Sequence, residues 1–168
     1  KVALCGIGIS NTPLISLFQK YGAVVTACDK KSRQQLGGIA DDLEAKGVTL
    51  KLGENYLDNL DVDILFRTPG MYFCMPELQK LRDKGVIVTS EMEVFFDICP
   101  AEIIAVTGSD GKTTTTTLIS EMLKKDGKTV HLGGNIGKNL LSGIEDIKEN
   151  DYAVVELSSF QLISMRKS

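Results

Sequence analysis

Short apolar runs alternate with amphipathic stretches along this chain, and the two follow different periods. Residues 2–4, 24–27, 64–66 and 86–88 are apolar, largely β-branched and flanked by turn formers, which predicts short buried strands. Between them the spacing turns helical. Residues 13–21 carry Leu14, Ile15, Leu17 and Phe18; residues 32–46 carry Leu36, Ile39, Ala40 and Leu43; residues 76–84 carry Leu78 and Leu81. Pro13 and Pro76 suit first-turn positions, where no backbone N–H is needed. Such alternation predicts a mostly parallel sheet covered by helices. A helical stretch at 90–96 then leads to Asp97-Ile98-Cys99-Pro100, the best candidate for a domain boundary. Beyond it the alternation restarts: strand 103–106, helix 112–125, strand 129–132, a short helix near 138–144 and strand 152–156.

The restart carries the most informative segment, Thr107-Gly108-Ser109-Asp110-Gly111-Lys112-Thr113-Thr114. A strand that feeds a glycine-bounded turn, with Lys and Thr opening a helix, is built to hold a polyphosphate. Free N–H groups and the positive helix end face the anion, Lys112 adds a charge, and Thr113 can offer a hydroxyl to Mg²⁺. Only two residues separate Gly108 from Gly111, so this is a shortened phosphate loop. The fold class expected is α/β: a Rossmann-like, mostly parallel sheet over residues 1–98, then an incomplete P-loop-type α/β ATP-binding domain over 99–168. With about 70 residues and three strands, that second part is small for a nucleotide-binding sheet, and a truncated sheet with an open edge is expected.

Other motifs sit where such sheets bind ligands. Cys5-Gly6-Ile7-Gly8-Ile9-Ser10-Asn11 follows the first strand and precedes a helix, so its backbone can approach a phosphate. Asp29 ends the second strand, where an acidic group commonly meets a ribose or base. Asn11 stands at the third glycine position of the dinucleotide fingerprint. A nicotinamide, another nucleotide diphosphate and a plain turn all remain open on the motif alone. Thr68-Pro69-Gly70 follows a third strand. Gly133-Gly134-Asn135-Ile136-Gly137 permits close backbone approach and offers the Asn135 amide as donor and acceptor. Glu156, just past a buried run, is placed to share Mg²⁺ with the phosphate loop, and Ser158, Ser159 and Gln161 cluster beside it.

Composition narrows the classes. With 43% hydrophobic and 24% charged residues the chain can build an ordinary core, and 22 acidic against 19 basic residues leave a net charge of −3. No basic stripe suggests nucleic acid, and no apolar stretch is long enough to span a bilayer. Lys1 opens directly into a strand-like run, with no signal-peptide pattern. Cys5, Cys28, Cys74 and Cys99 are scattered without zinc spacing and read as reduced, mostly buried thiols of a cytoplasmic protein. His131, the lone histidine, reads as a packing residue.

Taken together, these motifs resemble the Mur ligase family of bacterial cell-wall synthesis. The shortened loop 107–114 looks like that family's ATP signature, and Gly-Gly-Asn-Ile-Gly (133–137) with Glu-Leu-Ser-Ser-Phe-Gln-Leu (156–162) resembles its D-glutamate-adding branch. The resemblance covers essentially the whole chain and implies a cytoplasmic, monomeric, ATP-dependent ligase of peptidoglycan biosynthesis, serving cell shape and division. Its substrates would be UDP-N-acetylmuramoyl-L-alanine, ATP and D-glutamate, joined through an acyl phosphate with Mg²⁺. By the same resemblance, Gly8, Ile9 and Ser10 meet the UDP diphosphate, Asp29 the uracil and Gly70 the adjoining sugar. Gly108, Ser109, Asp110, Gly111, Lys112, Thr113 and Thr114 bind ATP. Lys112 and Glu156 are the catalytic pair, Thr113 and Glu156 hold the metal, and Asn135, Ser158 and Gln161 hold the sugar-linked substrate. The D-glutamate-binding part is expected beyond Ser168, so the 168 residues alone are expected not to complete ligation. Two other classes stay in view: a nicotinamide-dependent oxidoreductase using Gly6, Gly8 and Asp29, and a P-loop ATPase acting as a switch.

Overall fold

A computed structural model describes residues 1–8 and 11–165. Its contacts divide the chain into two compact units, Lys1–Glu91 and Met92–Ser168. The first unit is built from β1 (Val2–Cys5), α1 (Thr12–Lys20), β2 (Val25–Asp29), α2 (Arg33–Leu36), α3 (Gly38–Ala45), β3 (Thr49–Leu52), β4 (Ile64–Arg67), α4 (Pro76–Asp83) and β5 (Ile87–Ser90). All five strands are parallel, in the order β3-β2-β1-β4-β5. β1 lies at the centre and is buried on both faces, with Ala3 and Cys5 at 0% exposure on one and Leu4 at 2% on the other. A fully apolar strand is what a doubly covered parallel sheet demands. The order reverses between β1 and β4, so the loops leaving those two strands diverge and open a crevice at their C-terminal ends.

Two local features depart from the periodic reading. Residues 32–46 form two helices instead of one, because Gly37 takes φ 55 and ψ −138 between them. Helix α3 then restarts with Ile39 turned to solvent while Leu36, Ala40 and Leu43 stay buried. Arg33 bridges the break by donating to Asp41 (2.5 Å) and Glu44 (2.7 Å). β3 carries no strong apolar signal. It is an edge strand, Thr-Leu-Lys-Leu, with a neighbouring strand on one side only, and it is partly exposed.

The second unit holds α5 (Glu91–Ile98, from its second residue onward), β6 (Glu102–Val106), α6 (Lys112–Lys125), β7 (Val130–Gly134), a 3₁₀ turn (Leu141–Asp146), β8 (Tyr152–Glu156) and α7 (Ser159–Leu162). The strand order is β6-β8-β7, all parallel. The apolar β8, with Ala153, Val154 and Val155 at 0% exposure, is the middle strand. α6 lies against β6, β7 and β8 and turns Thr116 and Ser120 inward, leaving Leu118 and Met122 exposed. The threonine run is therefore partly a packing face, and Thr116 Oγ1 donates to the Lys112 carbonyl at 2.7 Å.

Candidate functional site

The register of the second sheet explains why Glu156 meets the phosphate loop. Glu156 pairs laterally with Val106 on β6 and with Gly134 on β7, so its side chain leaves the sheet where β6 turns into residues 107–111. It is 2% exposed. Both carboxylate oxygens are engaged: Thr113 donates its hydroxyl to Oε2 at 2.7 Å, and Asn135 donates Nδ2–H to Oε1 at 3.1 Å. Asn135 also donates its backbone N–H to the Glu156 carbonyl at 2.8 Å. Glycine is required here for space. A Cβ on Gly134 would lie 2.2 Å from the Glu156 carbonyl oxygen, and one on Gly133 2.4 Å from Leu140 Cγ.

The loop itself is set to receive an anion. Gly111, at φ 72, precedes the 14-residue α6, whose N-terminus has no capping side chain and no acidic residue in its first turn. The first N–H groups of that helix thus keep free capacity and a partial positive charge. Lys112 bends back over the loop and donates to the carbonyls of Gly108 (2.7 Å) and Ser109 (3.0 Å). Gly108, Ser109, Asp110, Gly111 and Thr114 are all exposed to solvent.

Oxygen donors alone, one hydroxyl and one carboxylate, suit a hard cation such as Mg²⁺, which keeps most of its waters and takes few protein ligands. Among the described residues no group of three or more His, Cys, Asp or Glu is placed to hold a metal. A cation at Thr113 and Glu156 would therefore complete its shell with water or with oxygens of a bound phosphate.

Ser158 and Gln161 come together, but on each other. Ser158 donates N–H (2.8 Å) and Oγ–H (2.9 Å) to Gln161 Oε1, and Gln161 N–H donates back to Ser158 Oγ at 3.4 Å. This is a capping box at the start of α7. It fixes the chain just after Glu156, and no ligand is needed to satisfy these atoms. His131 pairs with Asp151 (Nε2 to Oδ2, 2.9 Å), and Lys148 N–H also donates to that carboxylate at 3.0 Å. The His131 bond first, and the Lys148 N–H second, hold the Asp151 carboxyl below its ordinary range.

In the first unit the crevice between β1 and β4 is braced from several sides. Gly6, at φ 87, packs so closely on Thr68 that a Cβ would lie 2.5 Å from its methyl group. Asn11 is 1% exposed and turns inward, donating Nδ2–H to the Cys5 carbonyl at 2.6 Å. α1 has no capping side chain either. Apart from their chain neighbours, nothing lies within 4 Å of where a Cβ on Gly8 or Gly70 would project. Ile9 and Ser10 lie outside the described residues. Asp29 accepts from Ile7 N–H (2.7 Å) and Lys31 N–H (2.9 Å).

Sequence reasoning passed over Arg67, which ends β4 directly before Thr68-Pro69-Gly70. It is 1% exposed, donates to the carbonyls of Thr68 (3.4 Å) and Met71 (3.3 Å), and stacks 5.5 Å from the Phe73 ring centroid. The available signal was a cation placed directly after an apolar strand. Cys5 and Cys28 face each other across β1 and β2, both buried. The hydrogen bond between them, then burial, push the Cys5 thiol well above its usual range. All four cysteines are free thiols; Cys74 is exposed, Cys99 intermediate.

Comparison with known proteins agrees on one family. Residues 106–168 match the Mur ligase middle domain. The chain is 56% identical over 166 residues to the UDP-N-acetylmuramoylalanine–D-glutamate ligase of Clostridium botulinum (strain Hall), covering 98% of this chain and 36% of that protein. It is 58% identical over 169 residues to the ligase of the same name from Acetivibrio thermocellus, covering 100% and 36%. The chain thus spans about a third of the length of these curated relatives. Among solved structures it resembles a murein peptide ligase from Psychrobacter arcticus, at 22% identity and TM-score 0.52, over 92% of this chain and 37% of that one. It also resembles the UDP-N-acetylmuramate–alanine ligase of Thermotoga maritima, at 25% identity and TM-score 0.50, over 93% and 36%. These likenesses support the α/β fold with parallel sheets. No helix among the described residues is long and apolar enough to cross a membrane.

Proposed function

We propose that this chain belongs to the Mur ligase family and forms the nucleotide-binding part of an ATP-dependent ligase that adds D-glutamate to UDP-N-acetylmuramoyl-L-alanine. Residues 1–98 take the UDP end of the sugar nucleotide, with Gly8, Ile9 and Ser10 toward the diphosphate, Asp29 on the base side and Gly70 beside the sugar. Residues 99–168 begin the ATP domain. The observation that carries this reading is the joining of Thr113, Glu156 and Asn135 beside an uncapped helix N-terminus. A nicotinamide enzyme would have no use for that cluster. A bare ATPase switch would leave the first crevice idle.

The chemistry brings two anions together, a substrate carboxylate and the γ-phosphate of ATP. A carboxylate oxygen attacks the γ-phosphorus, the bond to the bridging oxygen breaks, and ADP leaves. The amine of D-glutamate then adds to the acyl carbon, losing a proton, and inorganic phosphate departs as the amide forms. The residues of this chain lower the electrostatic barrier to the first step. Lys112 and the open N–H groups of Gly108 to Thr114 hold and neutralise the polyphosphate. When bound, Mg²⁺ supplies Lewis-acid stabilisation of charge on the phosphate oxygens. Thr113 and Glu156 would be its protein ligands, and Asn135 holds the Glu156 carboxylate in place from its other side. Ser158 and Gln161 fix the chain entering α7.

The test is a phosphate-release assay on the complete ligase carrying this segment, with ATP, Mg²⁺, UDP-N-acetylmuramoyl-L-alanine and D-glutamate. Release should require the sugar nucleotide, and the amide product should require D-glutamate. Release indifferent to both would overturn the reading.

A further inference from the structure

Residues 68–75 join β4 to α4 on one side of the crevice, and they belong to no strand or helix. Two backbone turns fold them: Met71 N–H donates to the Thr68 carbonyl at 3.0 Å, and Met75 N–H to the Tyr72 carbonyl at 3.1 Å. Two arginines then tie the segment to the regular elements at its ends. Arg67, the last residue of β4, donates Nη1–H to the carbonyls of Thr68 and Met71, at 3.4 and 3.3 Å. Arg82, in α4, donates Nη2–H to the Phe73 carbonyl at 3.1 Å. Both guanidinium groups also lie over the Phe73 ring, Arg67 at 5.5 Å from its centroid and Arg82 at 4.3 Å. A cation over an aromatic face is held most strongly when water is excluded, and Arg67 is 1% exposed. Thr68 in turn packs against Gly6, where a Cβ would lie 2.5 Å from its methyl group. A shift of the Thr68–Gly70 turn is therefore felt in the loop after β1 as well.

We propose that Arg67, Phe73 and Arg82 form a positioning clamp, which sets the Thr68–Gly70 turn for the sugar nucleotide. This rests on the reading that the β1/β4 crevice takes the UDP end of the substrate. The clamp acts through the backbone of the turn, so its loss is felt in binding of that one substrate. Its chemistry also separates it from plain packing. A hydrophobic filler needs only an apolar side chain of similar bulk at residue 73, whereas a clamp on two cations needs a π face there. Likewise a lysine at residue 67 keeps the charge but lacks the planar fork that bonds two carbonyls and stacks on a ring.

The experiment measures kcat and KM of the complete ligase, varying UDP-N-acetylmuramoyl-L-alanine and then ATP, for wild type, Phe73→Leu, Phe73→Tyr and Arg67→Lys. Leucine keeps apolar bulk but removes the face under both cations, so KM for the sugar nucleotide should rise about 5- to 30-fold. KM for ATP and kcat should stay within about 2-fold. Tyrosine restores the face and should restore the wild-type KM, while Arg67→Lys should resemble Phe73→Leu. Amide hydrogen exchange is followed in parallel. Met71 and Met75 amides should exchange faster in Phe73→Leu while those of β4 and β5 keep their protection, which separates local loosening from general destabilisation. Phe73→Tyr no better than Phe73→Leu, a KM for ATP that rises alongside, or a Met71 amide as protected as in the wild type overturns the proposal. Should wild-type turnover not depend on the sugar nucleotide, the crevice reading fails and the ligand named here fails with it, while exchange at Met71 still decides whether the clamp holds the loop.

Discussion

Gly134→Ala puts a single methyl group at the contact on which the second site depends. The new Cβ would lie 2.2 Å from the Glu156 carbonyl oxygen, 2.9 Å from Val155 Cγ1 and 3.0 Å from Glu156 N, at a φ of 96. Two of these neighbours are backbone and cannot rotate away. Restoring an ordinary contact of 3.4 Å moves β7 from β8 by about 1.2 Å at this rung. The Asn135 N–Glu156 O bond, now 2.8 Å, then passes out of hydrogen-bonding range, and the 3.1 Å bond from Asn135 Nδ2 follows. Overpacking costs about 1–3 kcal/mol, the positive φ about 1–3 kcal/mol, and a stranded buried donor about 1–3 kcal/mol. A combined loss of roughly 3–9 kcal/mol is a large share of the stability of any domain. It should lower the melting temperature by on the order of 10 °C. A displacement of about 1 Å at Glu156 should also slow phosphoryl transfer about 100-fold. The control is Gly127→Ala, which has φ 79 but open space around its Cβ and so suffers backbone strain alone. Thermal unfolding and single-turnover kinetics on the complete ligase measure both effects. If Gly134→Ala melts and turns over like Gly127→Ala, the close approach of β7 to β8 does not set the site.

Lys112→Met removes the charge over the loop and its bonds to Gly108 and Ser109. ATP affinity should fall about 10- to 100-fold, while the melting temperature barely moves because water can reach those exposed carbonyls; calorimetry and thermal melts report the two separately. Ser158→Ala breaks the capping box on Gln161 and should cost about 1 kcal/mol of stability. If the pair serves mainly to fix the chain, KM for the sugar nucleotide changes less than about 3-fold, and a much larger rise in KM would show direct contact. The Asp151 carboxyl is held below its ordinary 3.8 by His131 and Lys148, so its folded pKa is depressed. Its contribution to stability is full above the ordinary value and disappears as pH falls through the folded one. Asp151→Asn should therefore flatten the acid limb of stability below about pH 4 in urea titrations, and an unchanged limb would rule the pair out as its source.

Most of the layered architecture could be read from the chain because β-branched runs and helical spacing respond to burial locally. β1, β8 and α6 came out close to their predicted positions for that reason. β3 did not, since an edge strand with one lysine and a partly exposed face lacks the continuous apolar signal. The break at Gly37 was hidden because Leu36, Ala40 and Leu43 keep helical spacing across it.

The candidate chemistry divides in the same way. A glycine-bounded turn before Lys112 and Thr113 is legible because phosphate binding uses contiguous backbone groups. Glu156 was legible too, as a carboxylate ending a buried strand. What linear order could not supply was lateral register: that Glu156 stands level with Val106 and Gly134, that Asn135 grips both its backbone and its carboxylate, and that Asp29 reaches 22 residues back to Ile7. Partners of this kind are chosen by strand order and by distances of closest approach. Those arise when separate segments pack against one another, and no run of residues encodes them alone.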